Sequence, residues 1–152
     1  MSLRGRVEAM SRQEQFAWLA LALLVPATAY VGWWLFFDAA GQAGLVPEGV
    51  RRIGSGACLA FVFIRMWVAQ RNKGVLVDER DRQISARSVA SGYAWLALAV
   101  LVTSAIVGLD SWWDYLDSRS PAWIESFLLL CLLSSFVVIA AVGAVHYWRD
   151  RR

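Results

Sequence analysis

Two ionisable side chains lie within or beside long apolar runs, Arg65 and Glu125. Charges in such places are costly in hydrocarbon and usually carry a function. Arg65 falls close to the end of its run, so it can snorkel to water or meet Asp78 or Glu79 of the following segment. Glu125 follows Pro121 by about one turn and admits two readings. It can sit at the positive end of a helix dipole, or it can pair with Arg51 or Arg52 or contact a substrate. Neither residue is central enough for a proton relay. The single histidine, His146, neighbours Tyr147 and Trp148 as an interfacial residue would. Cys58 and Cys131 are isolated in apolar runs, which argues against thiol exchange and for small apolar fillers. No Ser-His-Asp set, Gly-rich phosphate loop or His-Glu-x-x-His motif is present. An enzyme is therefore not expected, and no cofactor or metal is implied.

The most polar stretch with internal order is VDERDRQISARS, from Val77 to Ser88. Asp78 can cap a helix, with Asp81 three residues on and Glu79 adding negative charge near the positive dipole end. Asp78 with Arg82, and Glu79 with Arg82, have spacings that meet on one helix face. Without Gly or Pro until Gly92, one helix from about Asp78 to about Leu109 is expected. The charged turn, including Arg80, reads either as a solvated helix start or as a docking surface for a partner.

Those residues need elements to hold them, and composition says what kind. Of the 152 residues, 59% are hydrophobic, against roughly 45–50% apolar in ordinary soluble domains. The excess is clumped into runs that can cross about 30 Å of hydrocarbon as helices. The expected fold is all-α, a polytopic membrane protein with four transmembrane helices at about 16–37, 50–69, 89–109 and 122–147. The second qualifies only by tolerating Arg65. The first run is longer than a signal-peptide core and is preceded by Glu8 and Glu14, so cleavage is not expected.

Charge placement orients these spans. The segments before the first span, between the second and third, and after the fourth hold eleven of the fifteen basic residues. The opposite loops hold Arg51, Arg52 and Arg119. The positive-inside rule then puts both termini in the cytoplasm. Most tryptophans fall near span ends, where the indole is half buried and its N–H wetted. The net charge of +3 is thus explained by topology, and nucleic acid is not an expected partner. Arginine-rich basic content and abundant alanine suggest a GC-rich bacterium, hence its inner membrane.

FAWLALALLV from Phe16 returns as YAWLALAVLV from Tyr93, differing only at Phe16/Tyr93 and Leu23/Val100. Pro47 and Pro121, and Cys58 and Cys131, recur at a similar offset. One membrane domain, 1–152, is expected as two parallel-repeat hairpins, about 1–74 and 75–152. Pro26 interrupts the first span where its counterpart, Thr103, can bond a carbonyl one turn back. Gly54 with Cys58, Gly56 with Ala60, and Ser88 with Gly92 give small-residue faces expected to meet other helices.

The run DERDRQI, followed by small residues, an aromatic and an apolar span, resembles small predicted integral membrane proteins of prokaryotes. Those carry an Asp-Glu-Arg segment before a helical hairpin, mapping here onto Asp78, Glu79, Arg80 and Ile84. The first hairpin lacks the acidic pair, and the resemblance implies no catalysis. Two function classes follow. The first is a non-catalytic accessory or regulatory subunit whose cytoplasmic face engages a protein partner. The second is a small transporter or channel built from a duplicated hairpin. The bilayer is the expected environment, and self-association into a homo-oligomer is compatible with both.

Overall fold

A computed structural model describes residues 12–42, 45–71, 79–107 and 116–149. It is all-helical, with α1 Arg12–Phe36, the short α2 Ala39–Gln42, α3 Glu48–Arg71, α4 Glu79–Val107 and α5 Pro121–Arg149. The breaks fall where the sequence supplies chemistry for them. Phe37 and Asp38 N–H groups close α1 on the Trp33 carbonyl, and Asp38 Oδ1 accepts from Ala40 N–H to start α2. Ser120 caps α5 by accepting from Trp123 N–H, with Pro121 at the first helical position, where its missing donor costs nothing.

Three helices, over Gln13–Phe36, Glu79–Ile106 and Pro121–Arg149, are long and apolar enough to cross a membrane. The expected second span fares differently. α3 covers it and runs for 24 residues, but among the described residues it is not a candidate span. Arg51, Arg52 and Arg65, together with the Gly54-Ser55-Gly56 stretch, dilute its apolar content.

The helices alternate in direction. Tyr147 of α5 reaches Gln13 of α1, Phe127 meets Phe36, and Gly143 lies beside both Ala17 and Ser88, so α1 and α4 run antiparallel to α5. Arg51 meets Glu125 and Phe61 stacks on Phe136, so α3 runs parallel to α5. The start of α1 and the end of α5 therefore share one end of the bundle, here called basal; the other end is distal.

α1, α3 and α5 form the core, which includes Leu24, Val31 and Leu35 of α1, Val50 and Phe61 of α3, and Leu133 of α5. An aromatic ladder, Phe16–Phe61–Phe136, ties the three together at centroid spacings of 5.8 and 4.6 Å. α4 contributes nothing to this cluster and packs chiefly on α5. Only 6% of its apolar window is buried, against 28% for α1 and for α5. Ile84, Ser88 and Gly92 form its seam. A Cβ at Gly92 would collide with Ile139 and lie 3.1 Å from the Ser135 carbonyl oxygen, so the seam closes through lack of side chain.

The two copies of the decapeptide occupy different places. α1 packs on α3 and α5, whereas α4 and α3 make at most a marginal contact. Ala17 and Ser88 both lie against Gly143, yet the sequence repeat pairs Ala17 with Ala94. Six residues separate Ser88 from Ala94, about 9 Å along a helix at 1.5 Å per residue. The similarity in sequence is thus not carried into equivalent packing.

Two of the three small-residue faces behave as expected. Gly54 packs under Leu129 and Val31, Cys58 is buried, and Ser88 and Gly92 face α5. The Gly56 face meets α1 only across a gap. A Cβ there would meet open space, and Gly56 and Ala60 line a shallow surface depression against Pro26 and Tyr30. α1 continues through Pro26 without a break in the helix, and Thr103 Oγ1 donates to Ala99 O at 2.7 Å as its sequence position suggested.

Candidate functional site

Polar groups converge at the basal end, where α1, α3, α4 and α5 enclose a cavity of about 220 Å³. Gln13, Arg65, Ser85, Ser88 and Tyr147 supply its polar lining, on walls made by Phe16, Phe61, Ile84 and Ile139. Glu14 is buried at the same end. Ser88 Oγ donates to the Ile84 carbonyl, satisfying its own hydroxyl within the helix.

Tyr147 organises this end. Its hydroxyl lies 3.0 Å from Asp81 Oδ1 and 3.0 Å from Gln13 Oε1. One phenolic proton can serve only one of these acceptors. The amide of Gln13 can turn over, so that its NH₂ donates to the phenol while the phenol donates to Asp81 Oδ1. In that arrangement all three groups are satisfied and α1, α4 and α5 are tied together. Sequence reasoning missed this trio. The signal was present on α4: Asp81, Ile84, Ser88 and Gly92 recur at helical spacing, and the last three form the seam against α5.

Of the contacts expected between Arg65 and the charged turn, the one through Glu79 is not formed. Glu79 is exposed and makes no ion pair with Arg65 or Arg82 among the described residues; Asp78 lies outside those residues. The reason is geometric. α4 docks on the face of α5 that leaves a gap toward α3, and it is Asp81, not Glu79, that turns into the bundle. Arg65 is half-buried, lining the basal cavity on one side and a groove between α3 and α4 on the other. Arg80, Arg82 and Arg87 are exposed along the first turns of α4.

At the distal end, Glu125 takes the paired reading. Arg51 Nη1 donates to Glu125 Oε2 at 3.0 Å, linking α3 to α5. Arg52 bonds Glu48 one turn back on its own helix, at 2.7 Å. Both pairs are largely exposed. Nearby, the Arg119 guanidinium sits 5.4 Å from the Trp123 ring, and Trp123 in turn stacks on Phe127. Cys58 and Cys131 are both free thiols on separate helices.

Among the described residues no cluster of His, Cys, Asp and Glu could hold a metal ion. The described lining of the basal cavity offers hydrogen-bonding groups and the Arg65 guanidinium. Comparison of the chain with family models, with curated proteins and with solved structures gives no match in any of the three.

Proposed function

We propose that the chain is a four-span integral membrane protein with both termini, and so the bundle's basal end, in the cytoplasm. It acts as a non-catalytic accessory or regulatory subunit, and α4 is the helix by which it engages a partner. The outward face of α3 supports counting it as a span. Leu59, Val62, Phe63, Ile64, Met66 and Trp67 are all exposed, a continuous apolar surface that water would not tolerate. Its 24 residues measure about 36 Å, enough for about 30 Å of hydrocarbon with the arginines at or near its ends. The charge asymmetry of the loops supports the cytoplasmic assignment and a bacterial inner membrane.

The observation that carries the docking role is the isolation of α4. Tyr93, Leu98 and Leu101 point away from the bundle, at 69%, 53% and 67% exposure, while Glu79, Arg82 and Arg87 remain open at its cytoplasmic start. The chain thus offers one helix with an apolar membrane face and a charged cytoplasmic turn, a pattern that suits lateral assembly with another membrane protein. The resemblance to small prokaryotic membrane proteins with an Asp-Glu-Arg segment agrees with this reading.

Photocrosslinking residues placed at Arg82 and Leu101 on α4, and at Leu59 and Phe63 on α3, test it in cells. A discrete protein adduct from the α4 positions alone is expected. Equal protein adducts from both helices, or lipid adducts only, would reject α4 as the docking helix. The basal cavity favours a second reading, a small transporter or channel, because Arg65 lies where an anion could pass between cytoplasm and groove. Flux of a labelled anion in proteoliposomes that an Arg65→Gln variant abolishes would favour that reading.

A further inference from the structure

The gap between α3 and α4 is a lateral groove of about 480 Å³ whose floor is α5. Its chemistry is graded along the bundle axis. Arg65 lies at the basal end, and Phe61, Leu96, Leu132 and Phe136 continue it as an apolar channel toward the distal end. Among the described residues Arg65 makes no ion pair, although it is half-buried within a helix that we read as crossing the bilayer. A guanidinium in that position needs an anionic or water partner, because burial of an unpaired charge is costly. The helices flanking the groove make at most marginal contact with each other, so among the described residues neither closes it.

A cation at one end of an apolar groove is complementary to an amphiphile with a negative head. We propose that this groove holds one acyl chain of an anionic phospholipid, with its phosphate paired to Arg65 and its tail running distally over Leu96 and Leu132. Arg65 lies six residues from the end of α3 at Arg71, about 9 Å along the axis, within reach of the inner-leaflet headgroups. Basic pockets between membrane helices on the cytoplasmic side are suited to such headgroups. The proposal rests on α3 crossing the bilayer, which cysteine labelling tests independently of lipid binding.

Native mass spectrometry of the full chain, delipidated in mild detergent and titrated with phosphatidylglycerol or phosphatidylcholine, tests it. The wild-type protein is expected to prefer phosphatidylglycerol by about fivefold, the contribution of one well-placed basic residue. Arg65→Gln should bring the two lipids to parity, while Arg82→Gln, on the exposed turn, should leave the preference intact. Leu96→Trp, which fills the groove without touching the charge, should lower retention of both lipids and keeps the test decisive should Arg65→Gln not fold. Millimolar inorganic phosphate should not displace the bound phospholipid. The proposal is overturned by equal binding of the two lipids to the wild type, or by a preference that survives Arg65→Gln. It is equally overturned by a preference lost in Arg82→Gln, by undiminished binding in Leu96→Trp, or by displacement with phosphate alone.

Discussion

Alanine at two glycines should have opposite effects, because the same added methyl meets a wall at one and nothing at the other. At Gly92, a Cβ would collide with Ile139 Cγ1, lie 2.7 Å from its Cδ1 and sit 3.1 Å from the Ser135 carbonyl oxygen. The isoleucine is stiff at Cγ1 and the carbonyl belongs to a helix, so neither can yield cheaply. At Gly56 nothing lies within 4 Å. Both substitutions gain the same helix propensity, about 1 kcal/mol. Overpacking at a tight contact costs about 1–3 kcal/mol. The propensity gain cancels in the comparison, so Gly92→Ala should be less stable than Gly56→Ala by about 1–3 kcal/mol. Gly56→Ala itself should be neutral or up to about 1 kcal/mol more stable than wild type. Because α4 is held chiefly by α5, the loss should appear first as detachment of that helix. Unfolding by SDS from a mild-detergent micelle reads both variants on one scale. Equal stability of the two variants, or a more stable Gly92→Ala, would refute the Gly92 seam.

Tyr147→Phe removes the hydroxyl shared by Gln13 and Asp81, and should cost about 1–2 kcal/mol given that Asp81 is only half-buried. A loss no larger than that of Arg82→Gln in the same unfolding assay would count against the trio. Arg51→Ala should cost under about 1 kcal/mol, since the side chains of its ion pair with Glu125 are 35% and 62% exposed. A double-mutant cycle with Glu125→Gln should give a coupling of that size which shrinks with salt; a coupling insensitive to salt would place the pair in hydrocarbon instead.

The helices were legible in the sequence because apolar runs and their punctuation act locally. Ser120-Pro121 starts α5 and the uninterrupted stretch after Asp78 becomes α4, as their residues imply. The bundle's asymmetry was not legible. Two decapeptides differing at two positions have the same intrinsic preferences, and what separates them is the neighbour each meets: Phe61 beside Phe16, but a gap toward α3 beside Tyr93. Glu125 illustrates the same limit. The dipole reading is local and the pair with Arg51 is not, so only the parallel packing of α3 on α5 selects the pair. The charged turn was read by i, i+4 spacing within α4, which favours partners on the same helix. Asp81 instead takes its partner from α5, a contact that depends on how far α4 is rotated about its axis.

Whether α3 crosses the membrane decides the account most directly, since the topology, the cytoplasmic face and the lipid groove all depend on it. Leu45 before α3 and Gln70 near its end are both exposed and suit cysteine labelling, in a background where Cys58 and Cys131 are replaced by alanine. A membrane-impermeant maleimide applied to the outer face of spheroplasts should modify Leu45→Cys and spare Gln70→Cys until the membrane is opened. Labelling of both positions from the same side would contradict the four-span topology.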